Sequence, residues 1–335
     1  ANEDKKHKIY DILSQYNELD TIKKYENLKI YITKSIEDNE EELLELLIGE
    51  EIQYTEGIYY KINKIKKEAS LFMINCEITN FTVPCTIQYN NEHYLVTSII
   101  GSVNITGSLQ FESNSSVHTF YRNAFGLSRV KEIFIPDNLR TIKEGCFCET
   151  FNLTKLIISP KNDRFLYQDD QYLLGKTDEK SDNYDVLIFA RRDISEAKIP
   201  SNIKIISAFA FDNCKNLRTI TFEENSKLEI IDKYAFSFSN IEEIFIPANV
   251  SIISECAFYA CKYLQNIKIE ENSKLEIIGK WAFTSSKIEA IFIPSNVSKI
   301  SDYAFYACFD LQNVKIEENS KLKTIGKCVF SDSKI

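Results

Sequence analysis

The sequence predicts a repeat solenoid with a parallel β-sheet on one face, and three observations predict it. A block of 47 residues, Ile244 to Ala290, recurs almost unchanged from Ile291 to the end of the chain. Within each block, short strand-like runs end on apolar residues at regular steps: Phe111, Ile135, Ile158, Ile199, Phe222, Ile246, Ile269, Ile293 and Ile316, separated by 24, 23, 41, 23, 24, 23, 24 and 23 residues. A second anchor keeps the same register, because the gap from Pro136, Pro200, Pro247 and Pro294 to the next phenylalanine (Phe147, Phe211, Phe258, Phe305) is always 11 residues. Self-similarity at a fixed period of this length marks stacked coils that bury a continuous core only together.

Each coil carries an L-x-x-L-x-L arrangement, as in Leu217-x-x-Ile220-x-Phe222, Leu264-x-x-Ile267-x-Ile269 and Leu311-x-x-Val314-x-Ile316. Such spacing at a period of roughly 20 to 29 residues is the signature of leucine-rich repeats, each coil giving one strand to the sheet. Apolar-Phe pairs follow the strands, and Phe211, Phe236, Phe258, Phe283 and Phe305 are expected to form a stacked ladder closing the convex side.

The run Ile-Pro-x-x-Val-x-x-Ile-x-x-x-Ala-Phe-x-x-Cys-x-x-Leu, present as Ile246 to Leu264 and Ile293 to Leu311, resembles the BspA-like leucine-rich repeat family of bacterial and protist surface proteins. Phe165–Tyr167 through Leu187–Phe189 is similar to a hairpin that those proteins insert into one coil, and Tyr94 to Ile99 is similar to the entry into their first repeats. The resemblance spans about residues 52 to 335. It implies a non-enzymatic protein, secreted or displayed at a cell surface, that mediates adhesion or binds a protein, host-surface or matrix ligand.

Three regions are expected. Residues 1–50 read as a helical segment: Ile9, Ile12, Leu13, Tyr16 and Leu19 form an apolar stripe, and Asp38 with Glu41 makes a capping box ahead of Leu43 and Leu44. Residues 51–94 read as an N-terminal β cap, with Ile58–Ile62 and Ala69–Ile74 forming a hairpin around a Lys-rich turn that covers the sheet edge. Residues 95–335 form the solenoid. Its 41-residue step carries 17 or 18 residues more than a coil, so a hairpin is expected to protrude at about 159–197. The array is expected to continue past Ile335, where the preceding copy starts another strand at Ile288.

Nine cysteines invite a disulfide framework, but Cys214, Cys261 and Cys308 recur two coils apart. At about 4.8 Å per coil they are about 9.6 Å from one another, beyond the reach of a disulfide. Ser239, Ser286 and Ser333 occupy the same point in the intervening coils. The column is therefore expected to hold small interior side chains, the thiols acting as small hydrophobes.

No metal site or cofactor is implied. His7, His93 and His118 are scattered, no cysteine pair has C-x-x-C spacing, and residues 119–335 contain no histidine to serve a Ser-His or Cys-His device. No glycine-rich phosphate loop occurs. The acid pairs Glu223-Glu224, Glu270-Glu271 and Glu317-Glu318 mark either a repeated solvent-facing turn or a carboxylate ladder able to hold calcium. A formal net charge of −9 without a basic face argues against nucleic acid as partner. No run approaches the 18 or more consecutive apolar residues of a membrane helix.

The informative surface is the sheet face. Strand side chains alternate, so the residue before each last apolar position points outward, and this column includes Phe134, Phe245, Lys268, Phe292 and Lys315. Outward phenylalanines alternating with lysines read either as a partner-binding strip or as β-suited residues shielded by lysine stems. Six sequons, at Asn80, Asn104, Asn114, Asn152, Asn249 and Asn296, are compatible with a secretory route, although Asn138 and Asn202 hold the same turn position as Asn249 and Asn296 without forming one. Two other functional classes stay open: a cytosolic repeat adaptor or structural scaffold, and a hydrolase with its active site in the N-terminal part. The sequence leaves oligomeric state open.

Overall fold

A computed structural model describes residues 50–101, 103–126 and 128–335, and every regular element among them is a strand. The helical segment expected before Glu50 lies outside the described residues. Two compact units are present: the described residues up to Ser128 together with Asn138–Cys146, and Arg129–Asp137 together with Phe147–Ile335.

The first unit opens with three antiparallel strands, Glu50–Thr55, Ile58–Asn63 and Glu68–Ile78, where a two-stranded hairpin was expected. Gly57 turns the first pair at φ +75°, and a Cβ there would meet that of Cys76 at 2.5 Å, so only glycine fits. A second hairpin, Thr86–Tyr89 with Glu92–Ile99, turns on Asn90 and Asn91 at φ 50° and 61°. Two successive left-handed residues suit the tight hairpin turns that asparagine favours. Glu92–Ile99 then pairs in parallel with Glu68–Ile78 and with Thr119–Phe120, the latter pairing with Thr141–Ile142, so the antiparallel cap passes into parallel stacking within one sheet.

In the second unit each coil contributes three separate ladders. On the first face lie four-residue strands: Glu132–Ile135 with Lys155–Ile158, Glu196–Ile199 with Thr219–Phe222, Glu243–Ile246 with Asn266–Ile269, and Ala290–Ile293 with Asn313–Ile316, each pair joined over all four residues. The expected continuous sheet is instead interrupted between pairs. Thr219–Phe222 meets Glu243–Ile246 only at Thr219↔Glu243, and Asn266–Ile269 has no bridge to Ala290–Ile293.

A proline stands at each cut and removes one bond from it. Within a pair, the N–H just after the second strand donates to the last carbonyl of the first: Glu223 to Ile199, Glu270 to Ile246 and Glu317 to Ile293, at 2.9–3.0 Å. In the next coil the corresponding residue is Pro247 or Pro294, which has no N–H to give. Burial follows: Ile199, Ile246 and Ile293 are fully buried, whereas Phe222 and Ile269, at the open side of the cut, are half-buried.

The second ladder is narrow but unbroken, running through Ile205–Ile206, Ile230–Ile231, Ile252–Ile253, Ile277–Ile278, Lys299–Ile300 and Thr324–Ile325. The third is a five-residue turn whose alternate N–H groups all point to the next coil. Phe209, Phe211 and Asn213 donate to Lys233, Ala235 and Ser237, and the same set repeats from Tyr234, Cys256, Trp281 and Tyr303 onward. Both ends of this turn have left-handed backbone, at Phe209/Asn213, Tyr234/Phe238, Cys256/Ala260, Trp281/Ser285 and Tyr303/Ala307. Bulky residues rarely adopt that conformation; here it aims N–H groups along the stacking direction.

The middle residue of the turn is the phenylalanine of the expected ladder. Phe211, Phe236, Phe258, Phe283 and Phe305 are buried, with successive ring centroids 4.9, 5.1, 5.0 and 5.2 Å apart and planes within 14°. Parallel rings at this separation are offset-stacked, which contributes about 0.5–1.5 kcal/mol per pair beyond area burial. Asparagines tie the coils at another corner: the side-chain amides of Asn202, Asn249 and Asn296 donate to Tyr184 O, Ser226 O and Ser273 O at 2.6–2.9 Å. The turn position noted in the sequence is thus a cross-coil staple.

The long step is filled by three strands rather than a projecting two-stranded hairpin. Leu166–Gln168, Tyr172–Gly175 and Val186–Ala190 form an antiparallel meander, and Val186–Ala190 pairs in parallel with Ile205–Ile206. The meander extends the narrow ladder and buries Leu173, Leu174, Leu187 and Phe189. Its acidic turn closes on Asp185, which accepts from Thr177 N and Oγ1 and pairs with Lys204 at 3.1 Å.

Truncating one ring in the middle of the ladder, Phe258→Ala, is expected to lower unfolding stability by about 3–5 kcal/mol through the cavity it opens between two stacked neighbours. Chemical denaturation measures this, and a loss below about 1 kcal/mol would contradict the packed ladder.

Candidate binding surface

On the strand-pair face, Phe245 and Phe292 are 46% and 37% exposed, and Lys268 and Lys315 are exposed beside them. Register makes them cross-strand neighbours, Phe245↔Lys268 and Phe292↔Lys315. Lys315 Nζ lies 5.9 Å from the Phe292 ring centroid, a cation–π contact. Lys268 instead reaches Glu243 at 3.9 Å, an exposed pair of small energetic value. The equivalent of Glu243 in the next coil pair is Ala290. Phe134 is half-buried on a different strand pair, beside Ile157, so it belongs to another part of the face.

The two near-identical 47-residue copies differ unevenly over their surface. Apart from Glu243 and Ala290, their outward sheet-face residues match: Gln265 and Gln312, Asn266 and Asn313, Lys268 and Lys315, Phe245 and Phe292. The turn edge does not, since Cys256, Lys262, Tyr263 and Trp281 become Tyr303, Phe309, Asp310 and Cys328. That edge carries exposed aromatics unmarked by the strand pattern. Phe238 packs edge-on against Tyr259 at 5.5 Å, and Tyr263 lies between Arg218 and Lys287, 5.3 and 5.9 Å from its ring.

The cysteine column is interior, as its spacing suggested, but it also forms hydrogen bonds. Cys214, Cys261 and Cys308 are fully buried free thiols. Cys261 Sγ donates to Phe236 O at 3.1 Å and Cys308 Sγ to Phe283 O at 3.2 Å, with Ser239 and Ser286 hydroxyls 3.5 and 3.3 Å from the sulfurs. Burial pushes the Cys261 thiol up to about 12 and raises Cys214 and Cys308 as well.

At the interrupted coil the column holds Arg192, which the sequence did not mark. Its guanidinium is buried, donates to Ala210 O, Phe147 O and Phe209 O at 2.9–3.2 Å, stands 3.8 Å from Cys214 Sγ, and stacks on Phe189 at 4.6 Å. One planar group with five donors replaces a missing turn.

The acid pairs have a structural use. Glu223, Glu270 and Glu317 accept the N–H groups of Ser201, Ala248 and Ser295 in the preceding coil at 2.6–3.0 Å. The Ser295 N–H holds the Glu317 carboxyl below the usual carboxylate range. Among the described residues no group of three or more His, Cys, Asp or Glu side chains could hold a metal ion. Nor is any helix among them long and apolar enough to cross a membrane.

The BspA type leucine rich repeat region matches in six copies, over residues 58–168, 186–275 and 229–335. A leucine-rich repeat protein from Eubacterium ventriosum is similar in structure at 17% identity and TM-score 0.53, over 86% of this chain and 96% of that one. The pneumococcal vaccine antigen PcpA aligns at 16% identity and TM-score 0.43 over 84% and 100% of the two chains, and a leucine rich cell surface protein from Faecalibacterium prausnitzii at 15% and 0.38 over 83% and 94%. A search of curated proteins returns no significant match.

In the native protein, Cys214, Cys261 and Cys308 are expected to resist a thiol reagent that labels exposed Cys328 readily, and to react once the chain is denatured. Mass mapping reads this, and a disulfide joining any two of the three would overturn the coil register.

Proposed function

The chain belongs to the BspA-type leucine-rich repeat family, and from that membership we propose that it is a non-enzymatic binding protein, presented at a cell surface, whose strand-pair face attaches to a protein, host-surface or matrix ligand. The observation that carries this reading is the pair of solvent-facing phenylalanines, Phe245 and Phe292, each beside a lysine and each kept in both copies while the turn edge changes. Exposed aromatic and cationic side chains on paired strands suit interface anchors, since aromatic residues are enriched in interface cores.

A cytosolic adaptor is the second reading, favoured by the nine free cysteines, because reduced thiols persist in reducing compartments. It uses the same face and differs in the compartment of its partner. Thiol state and glycan occupancy in the native cell separate the two.

The double reversal Phe245→Asp with Lys268→Glu is expected to abolish attachment to cells or matrix recognised by the intact chain, while leaving stability within about 0.5 kcal/mol, as for exposed positions generally. Binding and thermal unfolding are measured side by side. Full binding by the reversed protein would remove the face from consideration and turn attention to the aromatic turn edge around Tyr263.

A further inference from the structure

We infer that the second unit flexes in two-coil blocks, opening and closing at the proline seams while the narrow ladder acts as the spine. This concerns the motion of the face, and it holds or fails whatever the face binds.

The chain builds one coil step in two ways. From Glu243–Ile246 to Asn266–Ile269 the strands are bridged at four positions and the step is sealed by Glu270 N–H to Ile246 O. From Asn266–Ile269 to Ala290–Ile293 there is no bridge, and Pro294 stands where the sealing N–H would be. The earlier step, from Thr219–Phe222 to Glu243–Ile246, has a single bridge and Pro247 at its sealing position. On the opposite side the ladder Ile230–Ile231, Ile252–Ile253, Ile277–Ile278, Lys299–Ile300 crosses closed and open steps alike. The turn ladder does the same: Phe236 N–H donates to Ala257 O across an open step and Phe258 N–H to Ala282 O across a closed one, both at 2.8 Å.

Bonds retained on two ladders and lost on one define a hinge line, and local opening concentrates where backbone bonds are fewest. Phe245 and Phe292 sit on the first strand after each seam. Seam opening therefore changes the spacing between successive Phe–Lys pairs while each pair moves as a unit.

Amide hydrogen exchange on the intact chain tests this, supported by two substitutions at one seam. Pro247→Ala restores a backbone N–H, and Pro247→Glu also restores the side chain that the alternate coils carry; either suffices if the other folds poorly. In the unsubstituted protein, the N–H groups bonded across the closed step, such as those of Gln265 and Glu270, are expected to exchange about tenfold more slowly than the strand N–H groups that face the Pro247 and Pro294 seams, in line with the spread of local opening energies within a fold. Substitution at 247 is expected to slow exchange in Thr219–Phe222 and Glu243–Ile246 about tenfold and leave the seam at Pro294 unchanged. Equal protection of open and closed steps in the unsubstituted protein would overturn the inference, as would a folded variant at 247 whose first seam exchanges as before.

Discussion

Backbone hydrogen bonding between successive coils is the constraint from which the second unit's other features follow. A coil in a stacked array has neighbours only before and after it, so its inward N–H and C=O groups must find partners along one direction. Three ladders meet that need. The least ordinary is the turn in which bulky residues such as Phe209, Tyr234, Trp281 and Tyr303 hold left-handed backbone. The conformation is unfavourable for these side chains, and the three parallel N–H bonds per step together with the buried phenylalanine stack offset it. Where the array is interrupted, Arg192 supplies donors that a regular turn would have given.

The same constraint shapes the candidate site. Two coil types alternate: one turns on Ile-Pro with a stapling asparagine, the other on Glu-Glu-Asn-Ser-Lys with a carboxylate that caps the coil before it. In the last two pairs phenylalanine stands on the Ile-Pro strand and lysine on its partner, whereas the earlier pairs place Phe134 beside Ile157 and Lys198 beside Thr221, so the outward pattern repeats with the 47-residue copies. Scaffold bonds occupy the prolines, asparagines and first glutamates of these turns. The outward residues Phe245, Lys268, Phe292 and Lys315 carry no such duty, which leaves them available for recognition.

Much of this is legible in the sequence, because period and burial are coupled. The Ala-Phe pairs and the Cys/Ser column could be read directly, since a residue recurring at every coil and buried in one is buried in all. Other features needed the register between unlike coils. Pro247 and Pro294 read as turn residues until each is set against Glu223 or Glu270, when the missing N–H becomes visible at the weakened steps of the sheet. Asn202 and Asn249 likewise read as turn formers, their donation to the preceding coil being unmarked. Arg192 occurs once, so no repetition distinguishes it from a surface arginine. Left-handed Trp281 and Tyr303 contradict residue preference, and Tyr263 and Phe309 lie outside the strand pattern altogether.

Scaffold and proposed recognition rest on two separate sets of phenylalanines. Hydroxyl-radical footprinting of the folded chain, free and with the cells or matrix proposed as its ligand, reads both sets in one experiment. Phe258, Phe283 and Phe305 are expected to stay unmodified in both states, Phe245 and Phe292 to be oxidised in the free protein and protected on attachment, and Phe238 and Phe309 to remain reactive throughout. Modification of the ladder rings in the folded protein, or protection of Phe309 and Phe238 in place of Phe245 and Phe292, would contradict that separation.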